Sequence, residues 1–299
     1  MLGESVTKAK CFGLTSTFLE NCKKLKSTWT ETNIGIRDLV NIQPSFEKYL
    51  KETDLDQLFK KLGTTRPRIL AETVNHFTTR EAEKRDKIVI DYFGQDGIDR
   101  IVDSITESLL ADQRLAVNAN VLDAGAGSGF FTARVESKMR SALPRINFYA
   151  MDLTPAMLRV LVRNTDITSF LGLAENLMGS IQQARKHFKI PLTFDAVFST
   201  LMLHHSIHPE KVFKSISQVL KKNGKAVIID LCQHSFKEFK EEMGDIHLGF
   251  SPQTIRRMAD AFFSNVEVKN IPGISCKSSG RSAEIFVATV QNPSQNPLK

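Results

Sequence analysis

The residues whose spacing carries most chemistry lie in one run: Val121, Leu122, Asp123, Ala124, Gly125, Ala126, Gly127, Ser128, Gly129 and Phe130. An apolar stretch leads here into three closely spaced glycines, the pattern of a buried strand that turns sharply and opens a helix. Glycine suits such a turn because the backbone must bend tightly and let a ligand come closer than a Cβ allows. Free N–H groups at the helix start favour a carboxylate or another anion. Asp123, at the strand's end, would repel a pyrophosphate but suits a ligand with cationic groups. A dinucleotide-binding turn has the spacing GxGxxG, its third glycine packing helix on strand. Counted from Gly125, that third place is held by Phe130.

A second apolar run, Ile146 to Met151, ends in Asp152 and is followed by Thr154 and Pro155, a helix cap and first helical residue. A carboxylate in that place can accept hydrogen bonds from both hydroxyls of a ribose; its simpler reading is a helix cap. A third run, Phe194 to Thr200, leads into Leu201, Met202, Leu203, His204 and His205. These cross the carboxyl end of a strand, where open α/β sheets bind ligands. His204, His205 and, further on, His247 are the candidate general bases, and the simpler reading of each is a histidine that shapes a pocket.

The elements that must position these residues are legible as alternating patterns. From Ala116 onward, short β-branched runs alternate with helical ones, the signature of a parallel sheet covered by helices. A helix from Pro209 carries Val212, Phe213, Ile216, Val219 and Leu220 on one face, stops at Asn223 and Gly224, and gives way to a buried strand over Lys225 to Leu231. Val266 to Lys269 and Ala283 to Val290 are β-rich runs separated by a turn containing Pro272, Gly273 and Gly280. Ahead of the sheet, Thr78 and Glu81 form a capping-box pattern for a helix to Phe93. Next, Ile98, Ile101, Val102, Ile105 and Leu109 fall on one face of an amphipathic helix. Residues 1–80 read as a polar helical extension, 81–292 as the domain proper and 293–299 as a polar tail.

In combination these residues resemble the class I, Rossmann-like methyltransferases, in particular the small-molecule type related to quinone-biosynthesis enzymes. The resemblance covers roughly residues 120–290 and rests on VLDAGAGSG at Val121, Asp152, FDAVFSTLMLHH at Phe194, and VLKKNGKAVIIDL at Val219. It implies an α/β fold with a seven-stranded sheet whose last strand is antiparallel, and S-adenosylmethionine as the methyl donor. By resemblance, Asp123, Gly125 and Gly127 would line the methionine part of the donor, Asp152 the ribose, and Leu153 and Met157 the adenine, with Gly129, Ala174, Glu175 and Thr200 completing the site. The family's acid before an alanine in an AEN-like motif is replaced here by Leu173. Either apolar and backbone contacts hold the adenine, or the neighbouring Glu175 substitutes. An extra helix is expected from Ser180 to Phe188.

The resemblance implies an enzyme, and its acceptor is expected to be a small molecule bound by the insertion Cys232 to Phe250 and the amino-terminal helices. Tyr92, Phe93, Phe236, Phe239, Met243 and Phe250 suit an apolar or aromatic acceptor, or else simply pack a lid. The alternatives are an RNA or protein methyltransferase and a catalytically silent S-adenosylmethionine-binding protein; a nicotinamide-dependent oxidoreductase is disfavoured by Phe130 and the final hairpin. The net charge of +7 over 299 residues favours anionic partners. The clusters at Lys23, Lys24 and Lys26, Arg185 and Lys186, and Lys221 and Lys222 fit solvated helix faces at least as well as a nucleic-acid footprint. The four cysteines show no zinc spacing, so no metal site is expected. A 41% hydrophobic chain with no long apolar run and no secretory-type start is expected to be a cytoplasmic globular protein without a membrane-inserted segment.

Overall fold

The computed structural model describes residues 36–64, 70, 73, 74, 76, 77, 79–111 and 115–294. Contacts divide the chain into two units, Met1–Ile42 and Gln43–Lys299. The described residues of the first, 36–42, are helical. All that follows concerns the second. The Thr78 capping position and most of the expected extension lie outside the described residues.

Seven strands form one sheet: β1 (Asn120–Ala124), β2 (Asn147–Asp152), β3 (Thr168–Leu171), β4 (Phe194–Thr200), β5 (Leu220–Leu231), β6 (Asn265–Ser278) and β7 (Arg281–Gln291). Their order is β3-β2-β1-β4-β5-β7-β6. The first five pair in parallel, whereas β7 lies antiparallel between β5 and β6. This is the α/β, Rossmann-like sheet with an antiparallel finish that the family resemblance implies. Strands buried on both faces need continuous apolar runs, and Val121, Leu122, Ala196, Val197 and Phe198 are all fully buried. The Pro272–Gly273 segment is not the hairpin turn. It sits inside β6 at a register shift between Asn270 and Ser275, a bulge, and the chain reverses at Ser279 and Gly280, both in the left-handed region. Proline cannot donate to a ladder, and an irregular edge strand is where a sheet tolerates it.

In chain order the helices are α1 (Ile36–Glu52), α2 (Leu55–Lys61), α3 (Thr79–Leu110), α4 (Phe130–Ala142), α5 (Pro155–Asn164), α6 (Leu177–Ala184), α7 (Pro209–Val219), α8 (Glu238–Met243) and α9 (Pro252–Asp260). α3 comprises the two expected helices joined at Gly94, whose φ of 64° and ψ of 167° break the helix. Beyond that kink Ile98, Ile101, Ile105 and Leu109 are fully buried, as their spacing predicts. The expected helix at Ser180–Phe188 forms earlier, as α6, because Asn176 caps it by accepting from the Gly179 N–H at 2.9 Å. On one side of the sheet α7, α6 and α9 bury Phe213, Ile216, Ile181 and Ile255 against Val197, Ile228 and Phe286. Among the described residues no helix is long and apolar enough to cross a membrane.

Candidate active site

β1 and β4 are neighbours from which the chain winds outward in opposite directions, so their carboxyl ends diverge into a cleft. Gly125, Gly127, Ser128 and Asp152 line one wall, Thr200, Leu201, Met202 and His205 the other, with Leu153, Thr154 and Met157 at one end. The first half of α3 and the residues before it close the front with Phe77, Arg85 and Val89. With its mouth open to solvent the cleft encloses about 690 Å³.

The three glycines do different work. At Gly127 (φ +56°) a Cβ would point into open space, so the cleft itself lies over this residue. At Gly125 (φ +88°) a Cβ would fall 2.2 Å from Met202 Cγ: the group that comes close there is a methionine. At Gly129 (φ +81°) it would fall 2.6 Å from Leu161 Cγ, so Gly129 provides the close packing of α4 on α5. Asp152 Oδ2 accepts from the Gly127 N–H and Oδ1 from the Thr154 N–H, each at 2.8 Å, which ties the end of β2 to the turn. Asp123 is buried behind the turn. Its Oδ2 accepts from Thr132 Oγ1 at 2.6 Å while Oδ1 has no partner. Burial pushes its carboxyl up to about 7, despite that hydrogen bond. The Thr200 hydroxyl, on the opposite wall, is also buried without a partner.

Gly125, Gly127, Asp152, Leu153, Met157, Thr200 and His205 are therefore gathered at one cleft, whereas Asp123 lies buried behind it, Gly129 packs on Leu161, and Ala174 and Glu175 lie elsewhere. Ala174 packs in the core, and the Glu175 carboxylate accepts from the Ile207 N–H at 3.0 Å beside a separate cavity. His204 sits behind His205, with Nδ1 2.6 Å from Asp230 Oδ1 and Nε2 3.4 Å from Asp245 Oδ1. Burial alone would lower its pKa, but the Asp230 charge and hydrogen bond, aided by Asp245, raise it overall. His205 is held well below the usual histidine range by burial and by the charges of His204 and Arg85. The His247 ring Nε2 lies 3.0 Å from the Ser206 carbonyl, away from the cleft, and burial lowers its pKa. Phe239, Met243 and Phe250 are buried, Phe250 in the core beside the sheet, and Phe236 stacks on His234; neither these nor Tyr92 and Phe93 line the cleft.

Arg85 escaped the sequence reading. It lies between the buried Ala82 and Val89 on α3, and a cation within an apolar stripe is the signal that could have marked it. Among the described residues no carboxylate pairs with its guanidinium, which stands 5.6 Å from the Phe77 ring centroid. Burial lowers its pKa, and Asp152 and Asp245 both lie close enough to oppose that shift.

A family model described as a methyltransferase domain matches residues 115–269, just over half of the chain. The chain belongs to the methyltransferase family. Its sheet is that of the class I, S-adenosylmethionine-dependent members, as the glycine turn and its partners imply. No curated protein matches this methyltransferase by sequence. Among solved structures it is similar to phosphoethanolamine N-methyltransferase 2 of Haemonchus contortus, in complex with phosphomonomethylethanolamine and S-adenosylhomocysteine. The TM-score is 0.54 at 16% identity, covering 77% of this chain and 60% of that one. A second structure of the Haemonchus enzyme, with S-adenosyl-L-methionine, gives 0.51 at 16% identity over 73% of this chain and 58% of that one. This methyltransferase thus spans about three-fifths of the Haemonchus chain. The [4+2]-cyclase SpnF is similar at a TM-score of 0.50 and 13% identity, over 68% of this chain and 86% of that one. At such identities the likeness is one of fold.

Proposed function

We propose that this methyltransferase binds S-adenosylmethionine in the cleft between β1 and β4 and transfers its methyl group to a small, polar acceptor. The carrying observation is the pairing of open space over Gly127 with a buried, unpartnered hydroxyl in the opposite wall, Thr200 Oγ1, while Asp123 Oδ1, buried behind the turn, likewise has no partner. Buried polar groups are nearly always hydrogen-bonded, so such orphans mark where a ligand belongs. The donor supplies an activated methyl on a sulfonium, leaving the protein to align the acceptor and exclude water.

Each residue then has a task. Asp152 accepts from the turn with Oδ2 and from the Thr154 N–H with Oδ1, and its remaining lone pairs suit ribose hydroxyls. Asp123 offers a carboxylate to the donor's cationic end, and Arg85, without a carboxylate partner, suits the donor's own carboxylate. Leu153 and Met157 give an adenine an apolar resting place. On the acceptor side, His205 is the one of the three candidate histidines that faces the cleft. Beside it stand Arg85 and, behind it, His204 and Asp245, a polar set that favours an acceptor with hydroxyl, amine or acid groups over the apolar one expected from the phenylalanines.

Calorimetric titration of the protein with S-adenosylmethionine, with NAD as control, tests the donor site. Saturable binding of the donor alone is expected, weakened at least tenfold in Asp152→Ala and in Gly127→Val, whose side chain would fill the cleft. A well-folded protein that takes up no donor would sink the reading.

A further inference from the structure

Among the described residues, His204, His205 and Asp245 form a group of metal-ligand composition whose ligand atoms all lie within 4.8 Å of one another. Asp245 is its informative member. It is 5% exposed, and neither carboxylate oxygen has a hydrogen-bond partner. Among the described residues, the His204 Nε2 at 3.4 Å is the one ion-pair contact it makes. A buried carboxylate with an unused oxygen is among the costliest arrangements a protein interior can hold.

The surroundings hold this arrangement in place. The Ile246 and His247 N–H groups donate to the His204 carbonyl at 3.1 and 3.0 Å, which clamps the Asp245 segment across the His204 ring. Asp230, at the end of β5, faces His204 Nδ1 at 2.6 Å and also accepts from the His204 and Leu231 N–H groups. With Nδ1 as donor, the neutral ring presents the lone pair of Nε2 towards Asp245. A carboxylate behind the far nitrogen is what metal-bound histidines ordinarily have. His205 Nδ1 meets the Gly244 carbonyl at 3.2 Å, leaving its Nε2 lone pair available, and His205 itself lines the donor cleft. A doubly protonated His204 bridging Asp230 and Asp245 would leave the second Asp245 oxygen and His205 unused. A divalent ion engages all three groups.

We propose that His204, His205 and Asp245 bind a divalent first-row transition-metal ion, with Asp230 fixing the His204 ring, at the inner wall of the cleft. Two imidazoles and one carboxylate suit Zn²⁺, Fe²⁺, Co²⁺ or Mn²⁺ better than Mg²⁺ or Ca²⁺. Such ions hold their donors at roughly 2.0–2.2 Å, so the three groups draw inward on binding. The sequence reading sought cysteine spacing and expected no metal; the third ligand comes from the insertion after β5, which spacing does not reveal. The ion's open positions would face the cleft and take a hydroxyl or amine of the acceptor. Its use there rests on the donor reading: the sulfur–methyl bond breaks with its electron pair kept by sulfur, a bond forms from methyl to the acceptor atom, and the acceptor's proton passes to water. The presence of the ion does not depend on that step.

The full chain, stripped with a chelator, is titrated with Co²⁺ and followed by visible absorption, with Zn²⁺ as competitor and S-adenosylmethionine titrated separately. One equivalent of Co²⁺ is expected to give ligand-field bands that Zn²⁺ displaces. Binding should weaken at least tenfold in Asp245→Asn and in His205→Gln, and persist in His247→Gln. Should Asp245→Asn unfold, His205→Gln alone decides. Absence of the bands in protein that still binds the donor, or equal binding in the variants that fold, would overturn the metal site. Bands without donor binding would instead overturn the donor reading and leave the metal site standing.

Discussion

The two oxygens of Asp123 meet different surroundings: Oδ2 accepts from Thr132, and Oδ1 is buried with no partner. Burial raises this carboxyl to about 7 from 3.8. For an acid whose folded pKa is raised, the native state holds the proton longer than the unfolded chain. The contribution of this carboxyl to stability is therefore fully present below about pH 4 and is lost as pH rises through about 7, a difference of roughly 4 kcal/mol. Asp123→Asn should be more stable than the parent at pH 8 and should lack this fall, as measured by denaturant unfolding at pH 5 and 8. A cationic donor favours the ionised carboxylate, so its affinity should rise as pH goes from 6 to 8 in the parent and not in the variant. A pH-independent difference between the two would show that Asp123 is ionised throughout. At this scale the sequence was a good guide to where Gly127 and Asp152 lie, because the order strand, glycine turn, helix and strand fixes their places, whereas Asp123 falls behind the turn rather than in the cleft wall. It was a poor guide to Glu175 and Asp245. Those depend on where two loops settle against distant backbone, which local patterns do not encode.

Elements read well wherever a hydrophobic period reported burial. β4 lies where its apolar run puts it and α7 buries its expected face, but α7 ends at Val219 rather than at Asn223 and Gly224, because Leu220 already pairs with Phe194 as β5 begins. The Pro272–Gly273 pair misled because the same residues serve a hairpin turn and a bulge, and only pairing with β7 separates the two. Contacts between elements remote in sequence were unreadable, and α1 supplies one with a measurable consequence. β3 is an edge of the sheet, and the Leu171 N–H donates to the Tyr49 hydroxyl at 3.0 Å in a buried setting, with Tyr49 packed on Phe46 and Phe188. Burial raises the Tyr49 hydroxyl to about 12, so it stays protonated and the contact persists across ordinary pH. Tyr49→Phe keeps the ring and strands a buried N–H, a loss of about 1–3 kcal/mol. Thermal unfolding should show a lower midpoint, with donor affinity unchanged. An unaltered midpoint would mean that the end of α1 does not seal that edge.

For the molecule as a whole, the question left by a charge of +7 is whether the acceptor is a polymer. Several of the described cations are paired with carboxylates, among them Lys138 with Asp103, Arg140 with Glu136, Arg159 with Glu47, Arg163 with Glu83 and Lys221 with Asp195. Exposed pairs of this kind add little stability, but they divide the positive field into small patches where a phosphate backbone needs a continuous track. Lys23, Lys24 and Lys26 lie outside the described residues, so the experiment must use the full chain beside one lacking residues 1–35. With a labelled single-stranded RNA, both are expected to bind weakly at 20 mM salt and to lose most of that binding by 150 mM. Donor binding should change little over the same range, because its contacts are short and sheltered. RNA affinity that survives 150 mM salt in the full chain and disappears in the truncated one would place a nucleic-acid grip in the amino-terminal segment. The acceptor would then have to be sought among RNAs, with the cleft serving only the donor and the reacting group.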